Sequence, residues 1–386
     1  MIKVLKGLNG LQERTVSAMA IGTGTVTTRP RTLSLTSAAV RDLHPSYFAF
    51  VMATGIISTG AFALGPSWLS RLLLVVASIG FAVLSAALVM RLTRFRSSVA
   101  ADVHAPERVF GFFTTVAAID VLGVRLGEAG HPMATAVLAA LAAAVWLVMT
   151  YGVPASLLLT RQRDSALGGV NGTWLMWVVG TQSLSVAASA LIAVWPSQSG
   201  LLAPVAVGLW GVGLVLYLML VSMIMMRWLT VPMTPATLGP PYWILMGATA
   251  ITVRAGALIL SLPAALPVRH ATAGVVEGFS FVLWAFGTWW IPLLVVLGLW
   301  RHVRRHWPLT YEPTLWSVVF PLGMYSVATL SFGKVAHLSF MEPISRFMLW
   351  VAVAAWVAVA VAFVVRLARR PSELPTAAAA NTNDSR

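Results

Sequence analysis

Ten long apolar segments, separated by short polar or proline-containing stretches, constrain the fold of this chain more than any other feature. A helix crosses the hydrocarbon core of a bilayer in about 20 residues. Each segment is long enough to do so and carries few or no charges. By number they cover about 46–64, 71–90, 110–126, 133–158, 173–193, 201–226, 241–262, 273–300, 313–333 and 343–367. The pattern predicts an all-α integral membrane protein with ten transmembrane helices.

Composition excludes the main alternatives to a membrane protein. Hydrophobic residues make up 58% of the chain and charged residues only 10%, whereas soluble domains carry about 25% charged residues. The chain has no cysteine, which excludes a disulfide framework, a thiolate metal site and a cysteine nucleophile.

Basic residues are placed asymmetrically along the chain. The net charge is +14, and 20 of the 26 Lys and Arg residues fall in the termini or in the loops after even-numbered segments. Cytoplasmic loops concentrate Lys and Arg, so we expect both termini to be cytoplasmic and the protein to be multi-pass in the cytoplasmic (inner) membrane. Nucleic acid is not an expected partner. Residues 1–40 and 369–386 are predicted to be disordered cytoplasmic segments on either side of a transporter domain at 41–368.

Small polar residues concentrate in the odd-numbered segments. Ser, Thr, Asn and Gln number 20 there and 9 in the even-numbered ones. Polar groups are costly in hydrocarbon, so we expect five helical hairpins, each with its odd helix inside, around a central pore. The candidate pore or substrate hydroxyls are Thr54, Ser58, Thr181, Ser185, Ser189 and Thr252. The alternative is that these hydroxyls join helix to helix.

Two charges lie in the middle of predicted helices. Asp120 is in the third segment and Arg254 in the seventh, and such residues are usually functional. A paired Asp120–Arg254 would be a structural strut, whereas a free Arg254 would attract anions. Arg125, nearer the end of its segment, is expected to reach the membrane surface.

Histidines do not support an embedded redox enzyme. All seven fall in loops or near segment ends, and no pair has the mid-membrane spacing of haem ligands. We therefore predict neither a cofactor nor a metal site. A membrane-embedded enzyme or cofactor-binding protein is the alternative function, but enzyme activity is not expected.

Four segments resemble a known family. They are HPSYFAFVMATGIIS (44–58), NGTWLMWVVGTQSLSV (171–186), WILMGATAITVRAGA (243–257) and EPTLWSVVFPLGMYSVATL (312–330). These segments are similar to the tellurite-resistance/dicarboxylate transporter family, which includes bacterial TehA, fungal malate permeases and plant slow-type anion channels. The resemblance covers about residues 42–367 and is nearest to bacterial C4-dicarboxylate transporters.

The resemblance implies a central path lined by the odd helices, usually in a homotrimer. It also implies that a phenylalanine of the ninth helix blocks the path, a role that falls on Phe320. Pro321 lacks an amide hydrogen and is expected to kink the helix beside it. The residues and the resemblance together predict a transporter or channel for small anions, either C4-dicarboxylates such as malate and succinate or oxyanions such as tellurite and sulfite. A passive channel and a proton-coupled carrier both remain open, with Asp120 as the candidate proton carrier.

Overall fold

The computed structural model describes residues 35–159 and 166–368. By internal contacts the chain divides into two units, Met1–Ala39 and Val40–Arg386. A short helix, Leu35–Arg41, contains the described part of the first unit. The second unit contains all the long helices. The predicted disordered segments, 1–40 and 369–386, otherwise lie outside the described residues.

Ten long helices make up the second unit, and we number them α1 to α10. Each is long and apolar enough to cross a membrane. In chain order they are Ala49–Leu64, Ser67–Arg94, Phe113–Glu128, Pro132–Leu159, Met176–Val194, Ser199–Thr230, Ile244–Leu260, Pro267–Leu299, Trp316–Val335 and Met341–Ala368. Within the described ranges the chain has no strand. The predicted all-α membrane class and the ten spans are confirmed.

Odd- and even-numbered helices differ sharply in burial. In the odd-numbered helices 67–83% of the most apolar stretch is buried, against 11–44% in the even-numbered ones. Exposed large apolar side chains are concentrated on the even-numbered helices, as for Val148, Leu158 and Phe347. Lipid tails are the natural environment for such a surface, since they solvate apolar groups without cost. We call α1, α3, α5, α7 and α9 the inner helices and the others the outer helices.

The inner helices pack against one another in a closed order. α1 contacts α3, α3 contacts α5, α5 contacts α7, α7 contacts α9, and α9 returns to α1. Each inner helix also packs against the outer helix that follows it in the chain. A water-filled pore and the cytoplasmic side of the termini stay predictions.

Each inner helix begins with a short 3-10 segment. These segments are Pro45–Phe48, Val109–Phe112, Gly172–Leu175, Pro240–Trp243 and Pro313–Leu315. Three of them begin with proline, whose fixed φ suits a first helical position and whose missing amide hydrogen is no loss there. The five starts therefore mark one equivalent level in the bundle.

Candidate functional site

A small cavity lies where the five inner helices meet. Its volume is about 30 Å³, enough for a water molecule. Every inner helix contributes to its wall, and the lining residues are Ile56, Thr59, Asp120, Val121, Val124, Ser183, Val186, Ile251, Arg254 and Met324. The cavity combines apolar side chains with one acid, one base and two hydroxyls.

The cavity has a regular origin in the sequence. We count each inner span from the first residue of the 3-10 segment that precedes the inner helix. The cavity wall includes one residue from each inner span, eleven positions beyond that first residue. This cavity ring consists of Ile56, Asp120, Ser183, Ile251 and Met324. At about 1.5 Å per residue it lies about 16 Å from the starts of the spans, near the middle of a hydrocarbon core of about 30 Å.

Asp120 is the acid of the cavity ring. Its side chain is buried, and Oδ2 accepts a 2.7 Å hydrogen bond from Ser183 Oγ. The second oxygen, Oδ1, is buried without a hydrogen-bond partner. A buried carboxyl with an unsatisfied oxygen is costly. Such a group is suited to meet a proton, a water molecule or a polar ligand in the cavity.

Arg254 provides the positive charge one turn further along α7. Its Nη1 donates a hydrogen bond to Ser331 Oγ on α9. The guanidinium also interacts electrostatically with Glu128, at the end of α3. Asp120 and Arg254 line the same cavity but do not form an ion pair within 4.0 Å. The structure therefore brings the two charges together at one site without joining them as a direct strut.

Phe320 lies one helical turn before the cavity ring. It is four residues before Met324, so the two share a face of α9, and it is fully buried. The equivalent positions of the other inner helices lie seven residues beyond the first residue of each span. They are Met52, Val116, Val179 and Gly247. All five are buried. We call this set the apolar ring, and Phe320 is its only aromatic member.

A glycine allows α7 and α9 to approach at this level. A Cβ atom on Gly247 would lie 2.8 Å from Cγ of Pro321, which is closer than nonbonded carbons approach. Pro321 lies within α9 and is buried. Both predicted gate residues thus lie in the packed layer beside the cavity, and the gating role stays a prediction.

Several predicted pore hydroxyls instead contact outer helices. Thr54 Oγ1 accepts a hydrogen bond of 2.9 Å from the Trp356 indole of α10. Thr181 Oγ1 accepts one of 2.9 Å from the Trp146 indole of α4. The indole of Trp284 bonds Thr329 in the same way, at 3.0 Å. These contacts match the alternative in which hydroxyls join helix to helix.

The remaining predicted hydroxyls also lie away from the cavity wall. Ser58 and Ser70 bond each other's carbonyl oxygens at 2.7 and 2.8 Å, joining α1 to α2. Ser185 donates to the carbonyl of Ala206 on α6 at 2.7 Å. Thr252 donates to Ala248 O within its own helix. The hydroxyl of Ser189 is buried without a partner.

The expectation for Arg125 was wrong. Rather than reaching the surface, its side chain is buried. Nε donates to Ser58 Oγ at 3.1 Å and Nη2 to Ser70 Oγ at 2.8 Å, and the guanidinium lies 4.5 Å from the ring centre of Phe62. Arg125 therefore reinforces the contact of α1, α2 and α3.

Sequence reasoning missed the other members of the cavity ring. Ser183 donates to Asp120 but was not among the predicted site residues, and Ile56, Ile251 and Met324 looked like ordinary apolar residues. Counting from the start of each odd segment would have placed all of them at one level. Among the described residues, no group of three or more His, Cys, Asp or Glu side chains could hold a metal ion.

Comparison with known proteins extends these observations. A family model described as SLAC1, voltage-dependent anion channel, matches residues 42–364. An uncharacterized membrane protein of Mycobacterium tuberculosis strain H37Rv is 51% identical over 153 residues, covering 40% of this chain and 77% of the relative. An uncharacterized transporter of Methanocaldococcus jannaschii is 25% identical over 335 residues, covering 82% of this chain and 91% of the relative.

Proposed function

The chain belongs to the SLAC1 family of voltage-dependent anion channels, and we propose that it carries small anions along the axis of its inner helices. That family is one of channels and transporters, and two relatives of similar sequence carry the name transporter. The protein is thus a multi-pass membrane protein of an anion transporter or channel family. The proposal adds a substrate, C4-dicarboxylates such as malate and succinate or related oxyanions including sulfite and tellurite, and places the protein in the inner membrane.

One observation carries the proposal. The cavity touched by all five inner helices has Arg254 among its lining residues and lies one turn beyond the apolar ring. A positive charge in a low-dielectric region attracts anions strongly, whereas packed apolar side chains keep ions out. An attractive site next to a closed layer is what a gated anion path requires.

Phe320 is the proposed gate. It is buried in the apolar ring, and its side chain has two rotatable bonds that can swing the ring aside. Asp120 is the proposed selectivity or proton-coupling group, since it is a lining residue of the cavity and one of its carboxyl oxygens has no hydrogen-bond partner. A passive channel and a proton-coupled carrier differ in whether Asp120 changes protonation during transport.

A flux screen in proteoliposomes tests the proposal. The full chain is reconstituted, and uptake of malate, succinate, sulfite, nitrate and chloride is measured with and without a pH gradient. We expect at least one dicarboxylate or oxyanion to pass faster than into protein-free vesicles. Dependence on the pH gradient would identify a carrier. No flux of any of these anions, from protein that is folded by circular dichroism, would refute the proposal.

We also propose that the protein assembles as a homotrimer, as the family resemblance implies. The extensive apolar surface of the outer helices offers area for contacts between copies as well as for lipid. Light scattering that subtracts the detergent mass gives the answer directly. A particle of one chain, about 41.2 kDa of protein, would contradict the trimer.

A further inference from the structure

A second pocket lies at the end of the bundle where the inner helices begin. Its volume is about 330 Å³, large enough for a small organic ion. Residues at or next to the starts of three inner spans contribute to its wall, at Gly172, Pro240 and Thr314. Two arginines from the ends of outer helices, Arg227 and Arg301, complete it. We call this pocket the vestibule. The apolar ring, seven residues into each span, separates it from the central cavity.

Arg227 is a buried charge without an acidic partner. Only 4% of its surface is exposed. Its guanidinium donates to Gly168 O at 3.3 Å, to Met233 Sδ at 3.0 Å and to the Tyr242 hydroxyl at 3.2 Å. All three acceptors are uncharged, and no described carboxylate lies within 4.0 Å. A buried charge that lacks a counterion is strongly unfavourable.

Arg301 is also buried, at 6% exposure, and only partly satisfied. Nη2 lies 3.5 Å from Oε1 of Glu312, whose side chain is 43% exposed. Its Nε is buried with no hydrogen-bond partner, and so is the hydroxyl oxygen of Thr314. Two residues that line the vestibule therefore each have a donor without an acceptor.

The remaining ionisable groups do not cancel this charge. Glu107 is exposed, so water screens it. Burial, followed by the charge of Arg108, lowers the pKa of His44 to about 4, so this side chain is neutral at physiological pH. The buried charge of the vestibule is positive, and the N-terminal ends of the surrounding helices add to the positive potential.

We propose that the vestibule is a binding site for a small dianion that bears two separated acceptor groups, one for Arg227 and one for Arg301 and Thr314. This inference deepens the proposed function and rests on it. A C4-dicarboxylate has the required charge and two carboxylates, and its occupancy would concentrate substrate on one side of the apolar ring. The site is distinct from the central cavity, since the two pockets share no lining residue.

Equilibrium binding to the purified full-length protein in detergent tests the inference. Radiolabelled succinate is the probe, and unlabelled sulfate and sodium chloride are the competitors. We expect saturable binding of the labelled succinate. Unlabelled succinate and sulfate should displace it better than chloride does at equal ionic strength. Arg301→Gln should weaken binding at least about tenfold, because a buried charged contact is lost. Thr314→Val, which removes a hydroxyl without changing charge, should weaken it less.

Arg304→Gln is the matched control. It removes the same charge three residues away on an exposed side chain outside the vestibule, so binding should be unchanged. Equal binding by Arg301→Gln and the wild type would overturn the inference, as would a lack of saturable binding by the wild type. If Arg301→Gln does not fold, Arg301→Lys together with Thr314→Val decides in its place.

Arg254→Gln distinguishes failure of this inference from failure of the proposed function. Arg254→Gln should lower anion flux, because Arg254 belongs to the proposed path, and its effect on succinate binding shows which of the two pockets holds the bound anion. Binding lost with Arg254→Gln but kept with Arg301→Gln would move the site to the central cavity and overturn the vestibule assignment alone. Vestibule binding without anion flux in liposomes would instead refute transport and leave this site standing.

Discussion

Ser183 Oγ donates a 2.7 Å hydrogen bond to Oδ2 of Asp120, which joins α5 to α3 at the wall of the central cavity. The bond satisfies one carboxyl oxygen and leaves Oδ1 without a partner. It holds the acid in a fixed position beside the proposed anion path.

Asp120→Asn should increase downhill anion flux by about tenfold or more, because it removes a buried acidic group from a low-dielectric path. Asparagine has nearly the same shape, and its side-chain oxygen can still accept from Ser183. Flux in proteoliposomes and the melting temperature are the measurements. Ser183→Ala is the control that breaks the hydrogen bond but keeps the acid. A large loss of flux in well-folded Asp120→Asn would show that transport needs the carboxyl group itself.

Phe320→Ala should raise anion flux, since it opens the apolar ring at its one aromatic member. The matched control is Phe332→Ala, another fully buried phenylalanine of the same helix that is not in the ring. Both variants lose a buried ring, so a general packing defect would affect them alike. Equal flux in Phe320→Ala and the wild type would remove the gate assignment.

Thr181→Val should leave flux unchanged while lowering stability by about 0.6 kcal/mol, the average for hydrogen bonds between membrane helices. The Thr181 hydroxyl accepts from the Trp146 indole of an outer helix, so it serves packing. The partner variant Trp146→Phe should show the same pattern. A marked change in anion selectivity in Thr181→Val would show that Thr181 lines the anion path after all.

Asp102→Asn should destabilise the protein by about 3–5 kcal/mol, because it leaves the buried Arg91 without its carboxylate. Arg91 Nη2 lies 2.6 Å from Asp102 Oδ2, and both side chains are almost fully buried. Asp42→Asn is the control. It breaks an exposed ion pair with Arg41 and should not change the melting temperature. If both variants melt at similar temperatures, burial does not make the Arg91–Asp102 ion pair more important for stability than the exposed Arg41–Asp42 pair.

His44 should make the protein less stable at acidic pH. Its pKa is lowered to about 4, so the folded state keeps the ring neutral while an unfolded histidine takes up a proton below about pH 6.5. The contribution of neutral His44 to the free energy of unfolding is therefore nearly complete above pH 6.5 and declines by about 3 kcal/mol as the pH falls to 4.

His44→Asn tests this pH dependence. The His44 Nδ1 atom accepts from the Ser46 amide at the start of the first inner span, and asparagine can supply that acceptor without titrating. Thermal unfolding at pH 7.5 and 4.5 should show a smaller difference for the variant than for the wild type. An equal difference in both proteins would assign the acid sensitivity to other groups.

Sequence reasoning predicted the membrane class and the ten spans because apolar length is a strong local signal. It also selected Asp120 and Arg254, since a charge inside an apolar segment is conspicuous. The contacts of the hydroxyl groups could not be predicted in the same way. Spacing shows that Thr181 and Ser185 share a face of their helix, but not which neighbour that face meets, and both bond to outer helices. Ser183, two residues from each, points to the cavity instead.

The common register of the inner helices has a consequence for how selectivity can change. One position in each helix, at the same distance from its start, contributes to the cavity ring, while the tryptophan–threonine bonds to the outer helices involve other positions. The cavity ring and the tryptophan–threonine contacts with the outer helices thus use separate sets of residues. If the proposed path is right, exchanges confined to positions 56, 120, 183, 251 and 324 should change which anion is preferred and leave the attachment of the outer helices intact.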